Sequence, residues 1–505
     1  MDVVQSLMGG FAVALTPLNL FLCAIGVILG TLIGVLPGIG PVAGIGVLIP
    51  LTFGMDVTGS LIMLAGIFYG SMYGGSTTSI LINVPGEAAS VVTSLEGYQM
   101  AKKGRAGAAL GISAIGSFFA GTLSVAGLML VAPFLVTIAL SFGPHEYFSL
   151  MVLGMTMVTY LGSRSLPKAL AMAVLGLILS TVGQDPVFGS RRFIFGRNEL
   201  IDGVSFVPAV IGLFAIAEIL YNLRHTQTGE LLKTKIRNLW PTRDDLAQSA
   251  GAIARGSVVG FLLGVLPGAG ALISTFVSYT IEKRLSKHPE RFGQGAIEGV
   301  AGPESANNAA TGGAMVPLLS LGLPGSPVTA VMLGAFILHG VLPGPRLMEQ
   351  RPDLFWGLIA SMYIGNVMLL VLNLPLVGMW ASLLRLPYNI LWPLIVLFCM
   401  VGAYTVNNRA SDLLIVVAFG LIGYLMRELD FPTAPVVLAL VLGPMMESNF
   451  RQALILSHGS FTEFFTRPIS ASLLAVAAAL VFGPLLLKLV GRRARPLAEV
   501  AGEMD

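Results

Sequence analysis

Long apolar stretches alternate with short polar breaks along almost the whole chain. Uninterrupted ones run from about Leu18 to Leu36, Ala108 to Leu140, Trp356 to Leu384 and Leu473 to Val490. A helix needs roughly 20 apolar residues to cross a bilayer, so the pattern predicts an all-α polytopic membrane protein with about 10–12 membrane segments. The first of these stretches lacks the basic flank and small-residue cleavage site of a signal peptide and is expected to stay as a helix. The most basic connector, Arg224–Arg255, carries Arg224, Lys233, Lys235, Arg237, Arg243 and Arg255 and reads as polar and structureless. The tail after Leu487 carries Lys488, Arg492, Arg493 and Arg495. Clustered positive charge places both segments in the cytoplasm. The chain then divides into a first membrane repeat (1–223), a basic linker (224–252), a second repeat (253–465), and an extra helix with its tail (466–505).

The two halves echo each other. Gly34-Val35-Leu36-Pro37-Gly38-Ile39-Gly40 matches Gly264-Val265-Leu266-Pro267-Gly268-Ala269-Gly270. Gly74-Gly75 followed by Pro85-Gly86 answers Gly312-Gly313 followed by Pro324-Gly325. Weaker matches follow in order: Tyr160 with Gly162–Pro167 and Tyr404 with Val406–Ser411, then Gln184-Asp185-Pro186 and Leu429–Pro432, then Pro208 to Glu218 and Pro435 to Glu447. Such an internal duplication is an architecture of secondary transporters. The last helix has no counterpart in the first half. With linker and tail on one side, removing it leaves an odd number of spans per repeat, which favours inverted repeats and an external N-terminus.

The breaks are where chemistry is expected. Proline removes a donor and clashes with the preceding turn, and glycine accepts strained backbone. Around Pro37, Gly38, Gly40 and around Pro267, Gly268, Gly270 the chain should therefore form an interrupted helix or re-entrant hairpin tip. Freed carbonyls there can hold a cation, placing a candidate Na⁺ near Gly38 and Gly268, and half-helix N-termini can face an anion. The competing reading is a packing kink or a small-residue helix contact. Beside these breaks, Gly75-Ser76-Thr77-Thr78-Ser79 runs into Asn83-Val84-Pro85-Gly86-Glu87. In the other half Pro303-Glu304-Ser305-Ala306-Asn307-Asn308 runs on to Pro324-Gly325-Ser326 and Thr329. Neutral hydroxyls and amides suit Na⁺ and a carboxylate whose charge is met by backbone N–H groups; alternatively they satisfy carbonyls of their own helices. Glu87, Glu304 and Glu218 are the acids of interest, since ionisable groups at membrane depth are functional candidates. Glu87 and Glu304 either couple to H⁺ or Na⁺ or sit in loops at the interface.

Composition narrows the classes. Of 505 residues 55% are hydrophobic and 11% charged, against about 25% charged in soluble domains, and mean hydropathy is +0.84. The 29 basic and 26 acidic residues give a formal charge of +3, too small and scattered for nucleic acid. Cys23 and Cys399 sit in apolar segments and read as buried thiols, and His145 and His339 as lone structural histidines. No Walker A, HExxH or GxSxG pattern occurs, so an enzyme and ATP-driven transport by this chain are disfavoured and no cofactor is expected. An ion gradient remains as the energy source. Two dissimilar, pseudo-symmetric halves suit alternating access better than a channel.

The motifs Gly34–Pro41, Tyr73–Ser79 with Asn83–Gly86, Glu96-Gly97-Tyr98-Gln99-Met100-Ala101, Gly302–Ala310 and Pro317–Ser326 resemble those of the large membrane subunit of tripartite tricarboxylate transporters, the TctA family. The resemblance spans essentially the whole chain, and the Pro-Glu-Ser-Ala-Asn-Asn-Ala-Ala run is its most specific part. Glu96 and Gln99 depart from it, standing where Asp and Pro are expected. The resemblance implies a bacterial inner-membrane permease in the lipid bilayer that takes up an organic carboxylate with a Na⁺ or H⁺ gradient. It also implies two partners, a small four-helix membrane subunit and a periplasmic solute-binding protein, and an elevator-like movement of the site. A standalone carboxylate permease is the alternative.

Overall fold

The structure, a computed structural model, describes residues 3–36, 40–161, 165–185, 188–225, 238–268, 270–384 and 388–489. Helices dominate it. The first half runs α1 (Val3–Ala14), α2 (Pro17–Val35), α3 (Gly40–Leu48), α4 (Val57–Ile82), α5 (Val91–Lys102), α6 (Ala106–Ala139), α7 (Pro144–Leu161) and α8 (Leu166–Ser180). A two-stranded antiparallel hairpin follows, β1 (Gly183–Gln184) with β2 (Arg191–Arg192). Then α9 (Phe206–Val210) continues through a π-helical stretch, Ile211–Ile216, into α10 (Ala217–Arg224).

The second half runs α11 (Arg243–Val265), α12 (Gly270–Leu285), α13 (Glu298–Leu321), α14 (Pro327–Leu338), α15 (Pro345–Gln350) and α16 (Pro352–Asn373). It ends with α17 (Val377–Leu383), α18 (Tyr388–Asn407), α19 (Ala410–Glu428), α20 (Ala434–Leu456), α21 (Glu463–Thr466) and α22 (Pro468–Leu489). Among the described residues eight helices are long and apolar enough to cross a membrane, including α2, α4, α6, α11 and α16. The chain is a multi-pass helical membrane protein.

Three local features differ from the sequence reading. The apolar run from Trp356 to Leu384 is two helices, because Pro375 has no N–H to give the Val371 carbonyl and its ring crowds the preceding turn; the Trp380 indole N–H bonds back to the Leu372 carbonyl across the bend (3.0 Å). The basic connector is not structureless to Arg255, and a linker ending at 252 takes in the first ten residues of α11, nearly three turns. That helix starts at Arg243, where Thr242 and Asp245 form a reciprocal capping box of the kind that satisfies its first free N–H groups. Asp245 also pairs with Arg105 at the start of α6 (2.5 Å); residues 226–237 lie outside the described ones. Finally, the polar turn at Gln184-Asp185 is part of the β-hairpin. It is pinned to α20 by Arg192 on Glu447 (2.7 and 3.1 Å) and Arg451 on Asp185 (2.8 and 3.2 Å). Hydrogen bonding to the Glu447 carboxylate raises the Arg192 guanidinium above its ordinary value.

Stripes of small residues bring the broken helices close to their neighbours. α2 and α4 run parallel with Gly26, Gly30 and Gly34 against Gly66, Gly70 and Gly74. A methyl group on Gly70 would stand 2.9 Å from the Val27 carbonyl and 3.1 Å from Gly30 Cα. α11 and α13 repeat this with Gly256, Gly260 and Gly264 against Gly302, Ala306, Ala310 and Gly313. Such stripes let backbones approach where no hydrophobic force separates helix from lipid.

The two stripes begin at opposite faces. The end of α4 (Ile80–Ile82) clusters with Ala106, Ala109 and Leu110 at the start of α6, and Arg105 beside them pairs with the start of α11. Since α2 runs parallel to α4, α2 enters from the far face and α11 from the near one. α12 folds back along α11, held by Arg255 on the buried Glu282 (2.9 and 2.5 Å). α11–α12 is thus a helical hairpin.

Candidate functional site

The breaks close on one another. In the second half Gly268 is left-handed (φ 86°) and its N–H donates to the Gly325 carbonyl at 2.9 Å, so the segments Pro267-Gly268 and Pro324-Gly325 touch. A methyl on Gly325 would stand 3.4 Å from the Gly264 carbonyl and 3.5 Å from Ala314 Cα. In the first half Gly86 lies against the Gly34 carbonyl, and its methyl would stand 2.7 Å from Gly75 Cα. Gly75 therefore answers Ala314 and Gly74 answers Gly313, one residue away from the pairing that the Gly-Gly dipeptides alone suggest. Gly40 and Gly270 start α3 and α12 with φ of 63° and 56°. Pro37 and Gly38 lie outside the described residues.

Several predicted site residues serve helix ends instead. Asn83 is exposed and is the left-handed C-cap of α4 (φ 57°), the place Gly322 fills on α13 (φ 71°). Ser326 caps α14 in a reciprocal box with Thr329 (3.2 and 2.8 Å), which commits both side chains locally. Thr78 and Ser79 donate to the Gly75 carbonyl of their own helix (2.8 and 3.0 Å). Thr77 is buried beside them.

The remaining predicted residues meet. Glu304 on α13 is fully buried and accepts from Ser76 on α4 (2.5 Å), from Thr93 on α5 and from Ser113 on α6 (3.3 Å). One turn on, Asn307 donates to Glu87 Oε1 at 3.0 Å. Glu87 Oε2 accepts the Ala89 N–H at 2.7 Å, and Ser90 Oγ faces the Glu87 N–H at 3.4 Å, so Glu87 is also the N-cap of the turn leading into α5. Asn308 donates to Ser117 (2.7 Å) and to the Glu304 carbonyl (3.1 Å). Both are buried inside the protein, Glu304 on α13 and Glu87 in the turn between α4 and α5. Among the described residues no Lys, Arg or His forms an ion pair with either. Glu218 is different, being paired with Arg427.

Thr93, Ser113 and Ser117 were not singled out in the sequence. Ser113, Ser117 and Ser124 follow helical spacing on one face of an otherwise apolar α6, which is the signal that finds them. Glu96 is a second unanticipated site. Fully buried, it accepts from the Tyr279 hydroxyl (2.8 Å) and from the backbone N–H groups of Gly293, Gly295 (2.6 Å) and Ala296 (2.9 Å). It clasps α5 to the turn that launches α13, the two elements that supply Thr93 and Glu304.

A multi-pass helical membrane protein whose halves join in a buried polar network beside broken helices has the form of a membrane transporter. The profile of the Tripartite tricarboxylate transporter TctA family matches residues 20–438, and the chain belongs to that family. A protein of Agrobacterium vitis described as "Uncharacterized 52.8 kDa protein in TAR-I ttuC' 3'region" is 50% identical over 499 residues, covering 99% of each chain. Another from the same organism, "Uncharacterized protein in TAR-II ttuC' 3'region", is 49% identical over 240 residues, 48% of this chain and 99% of that protein. No solved structure matches. As a family member, this chain is a subunit of a tripartite tricarboxylate transporter, a system with further subunits.

Proposed function

We propose that this chain is the large permease of a bacterial inner-membrane system that takes up an organic carboxylate, driven by a Na⁺ or H⁺ gradient. A periplasmic solute-binding protein delivers the solute, and a small four-helix membrane subunit completes the complex. The observation that carries this reading is the Glu304–Glu87 network. Burying a carboxyl without a basic partner is costly unless its charge is met. Ser76, Thr93, Ser113 and Asn307 are all neutral, which leaves the coupling ion to balance it. The solute's carboxylate is met by backbone N–H groups at the Pro-Gly breaks. Re-entry of α2 and α11 from opposite faces supports alternating access by inverted repeats, with site-bearing hairpins moving against the outer helices.

The test is uptake of labelled carboxylate by proteoliposomes holding all three components, with imposed Na⁺ and pH gradients. Accumulation is expected with one gradient and none without. Uptake indifferent to both sinks ion coupling, and uptake by this chain alone supports the standalone permease. Asn307→Leu is expected to abolish uptake while the protein stays inserted; a wild-type rate removes Asn307 from the site.

A further inference from the structure

The Glu96 clasp joins α5 to the turn before α13 from within; charge gathers on the outer side of the same junction. Lys103, at the end of α5, donates to the Gln294 carbonyl in that turn (2.5 Å). The bond draws two basic stretches together. One supplies Lys102 and Lys103, the other Lys283, Arg284, Lys287 and Arg291, and all six are exposed. Among the described residues none of the six forms an ion pair. Glu282 is buried and taken by Arg255. Glu290, which bonds to His288 (3.2 Å) and lies near Arg291, is the one acid exposed among them. Arg105, next along the chain, pairs with Asp245 at the start of α11, which puts the patch on the face where the basic connector enters.

Local structure accounts for part of this charge. Lys102, Lys283 and Arg284 stand in the last turns of α5 and α12, where a cation complements the helix dipole. Lys287 and Arg291 lie beyond those turns. Orienting the chain needs positive charge on this face, but it does not need two stretches gathered at one point against their own repulsion. The patch also borders an apolar strip. On α12 the half-buried Ile273, Val277 and Ile281 follow helical spacing to Arg284, and Leu285 beside it is 61% exposed. A ligand here needs an anionic head over the cations and apolar tails along the helix. A free anion, an acidic protein or a nucleic acid supplies the first without the second.

We infer that this patch binds an anionic phospholipid, whose headgroup phosphate answers the cations of both stretches. Clusters of four to eight basic residues beside membrane helices are attracted to anionic headgroups in this way. The bound lipid ties α5 to the α12–α13 turn from outside, as Glu96 does from within, and so steadies the elements that supply Thr93 and Glu304. Binding does not depend on what the chain transports.

The experiment places the full-length chain in phosphatidylcholine nanodiscs, adds rising fractions of phosphatidylglycerol, and reads the thermal midpoint. A saturable rise is expected. Lys287→Gln is expected to raise the fraction giving half the effect roughly fivefold, the worth of one cation at an anionic headgroup. Arg284→Gln with Lys287→Gln is expected to lose the rise. An equal change of charge in the β-hairpin, Arg191→Gln with Arg197→Gln, is expected to keep the wild-type response. Inorganic phosphate added to discs of phosphatidylcholine alone is expected to give no rise. A wild-type midpoint indifferent to phosphatidylglycerol overturns the inference, as does a full rise in the folded Arg284→Gln, Lys287→Gln protein. Equal loss in the β-hairpin variant reduces the effect to net charge and overturns it too. A rise with inorganic phosphate assigns the patch to a free anion instead of a lipid.

Discussion

Glu87 carries two functions that substitution can separate. One oxygen caps the turn into α5, and the other takes the Asn307 N–H from the opposite half. In the second half Ser326 holds the same cap position without reaching further. Glu87→Ser should therefore keep the cap and lose the bond to Asn307. Leaving that amide buried and unpaired costs about 1–3 kcal/mol. Glu87→Ala also loses the cap, a further loss of about 1 kcal/mol.

The stem of Glu87 adds a sharper test. A methyl group on Gly75 would stand 2.9 Å from Glu87 Cγ and 3.3 Å from Ser90 Oγ, whereas in the second half an alanine, Ala314, stands at the matching place against Gly325. Gly75→Ala in the wild type gains about 1 kcal/mol of helix propensity and loses about 1–3 kcal/mol to overpacking. In the Glu87→Ala background no γ atom remains beside Gly75 and the propensity gain should remain. A double-mutant cycle of Gly75→Ala with Glu87→Ala on thermal or chemical unfolding in detergent should give a favourable coupling of about 1–3 kcal/mol between the two changes. Uptake should be lost in Glu87→Ser and in both Glu87→Ala proteins. Coupling within about 0.5 kcal/mol of zero, or full uptake by Glu87→Ser, refutes the division of labour.

Three further outcomes follow from the same geometry. Glu304→Gln is nearly isosteric and should fold, because its three hydroxyl partners can turn, yet lose gradient-driven uptake; uptake in proteoliposomes that still follows the gradient removes Glu304 from coupling. At the Glu96 clasp, Tyr279→Phe should lose about 1 kcal/mol, while Glu96→Ala strands three backbone donors and should lose at least about 3 kcal/mol. Unfolding midpoints in the reverse order dismiss the clasp. Gly70→Val should destabilise the α2–α4 contact by about 1–3 kcal/mol, read as loss of monodisperse protein on heating.

Membrane segments and breaks are legible because they rest on local composition. So are Ser76, Glu304, Asn307 and Asn308, polar residues that stand out in an apolar background. What is not legible is rotation. Successive residues on a helix turn by about 100°, so Ser76 reaches α13 while Thr78 and Ser79 bond back to Gly75. Asn83 stands beside a Pro-Gly break and looks like a ligand, but its left-handed backbone makes it a terminator. The Gly74–Gly75 and Gly312–Gly313 dipeptides look equivalent by spelling, yet contacts to Gly34 and Gly264 shift their pairing by one. Glu96 stands out only as a departure from the family motif; its clasp, like the part played by Thr93, becomes visible when the turn before α13 folds against α5.

That one-residue shift separates backbone similarity from chemistry. With Gly74 set against Gly313, the left-handed caps, Pro-Gly loops and capping boxes of the two halves coincide, while Glu304 and Asn307 face Ala65 and Phe68 in the other half. The polar network is therefore not repeated. It is assembled once, from a second-half helix and first-half hydroxyls, with Glu87 as the first half's only carboxyl in it among the described residues. A substitution in either half should disturb the same site, whereas the matching position in the other half should matter for packing alone. Phe68, against which Asn307 is matched, is buried in the apolar core, so Phe68→Leu should alter stability without altering ion dependence. An altered ion dependence in that variant would place functional groups in both halves and return the site to two-fold symmetry.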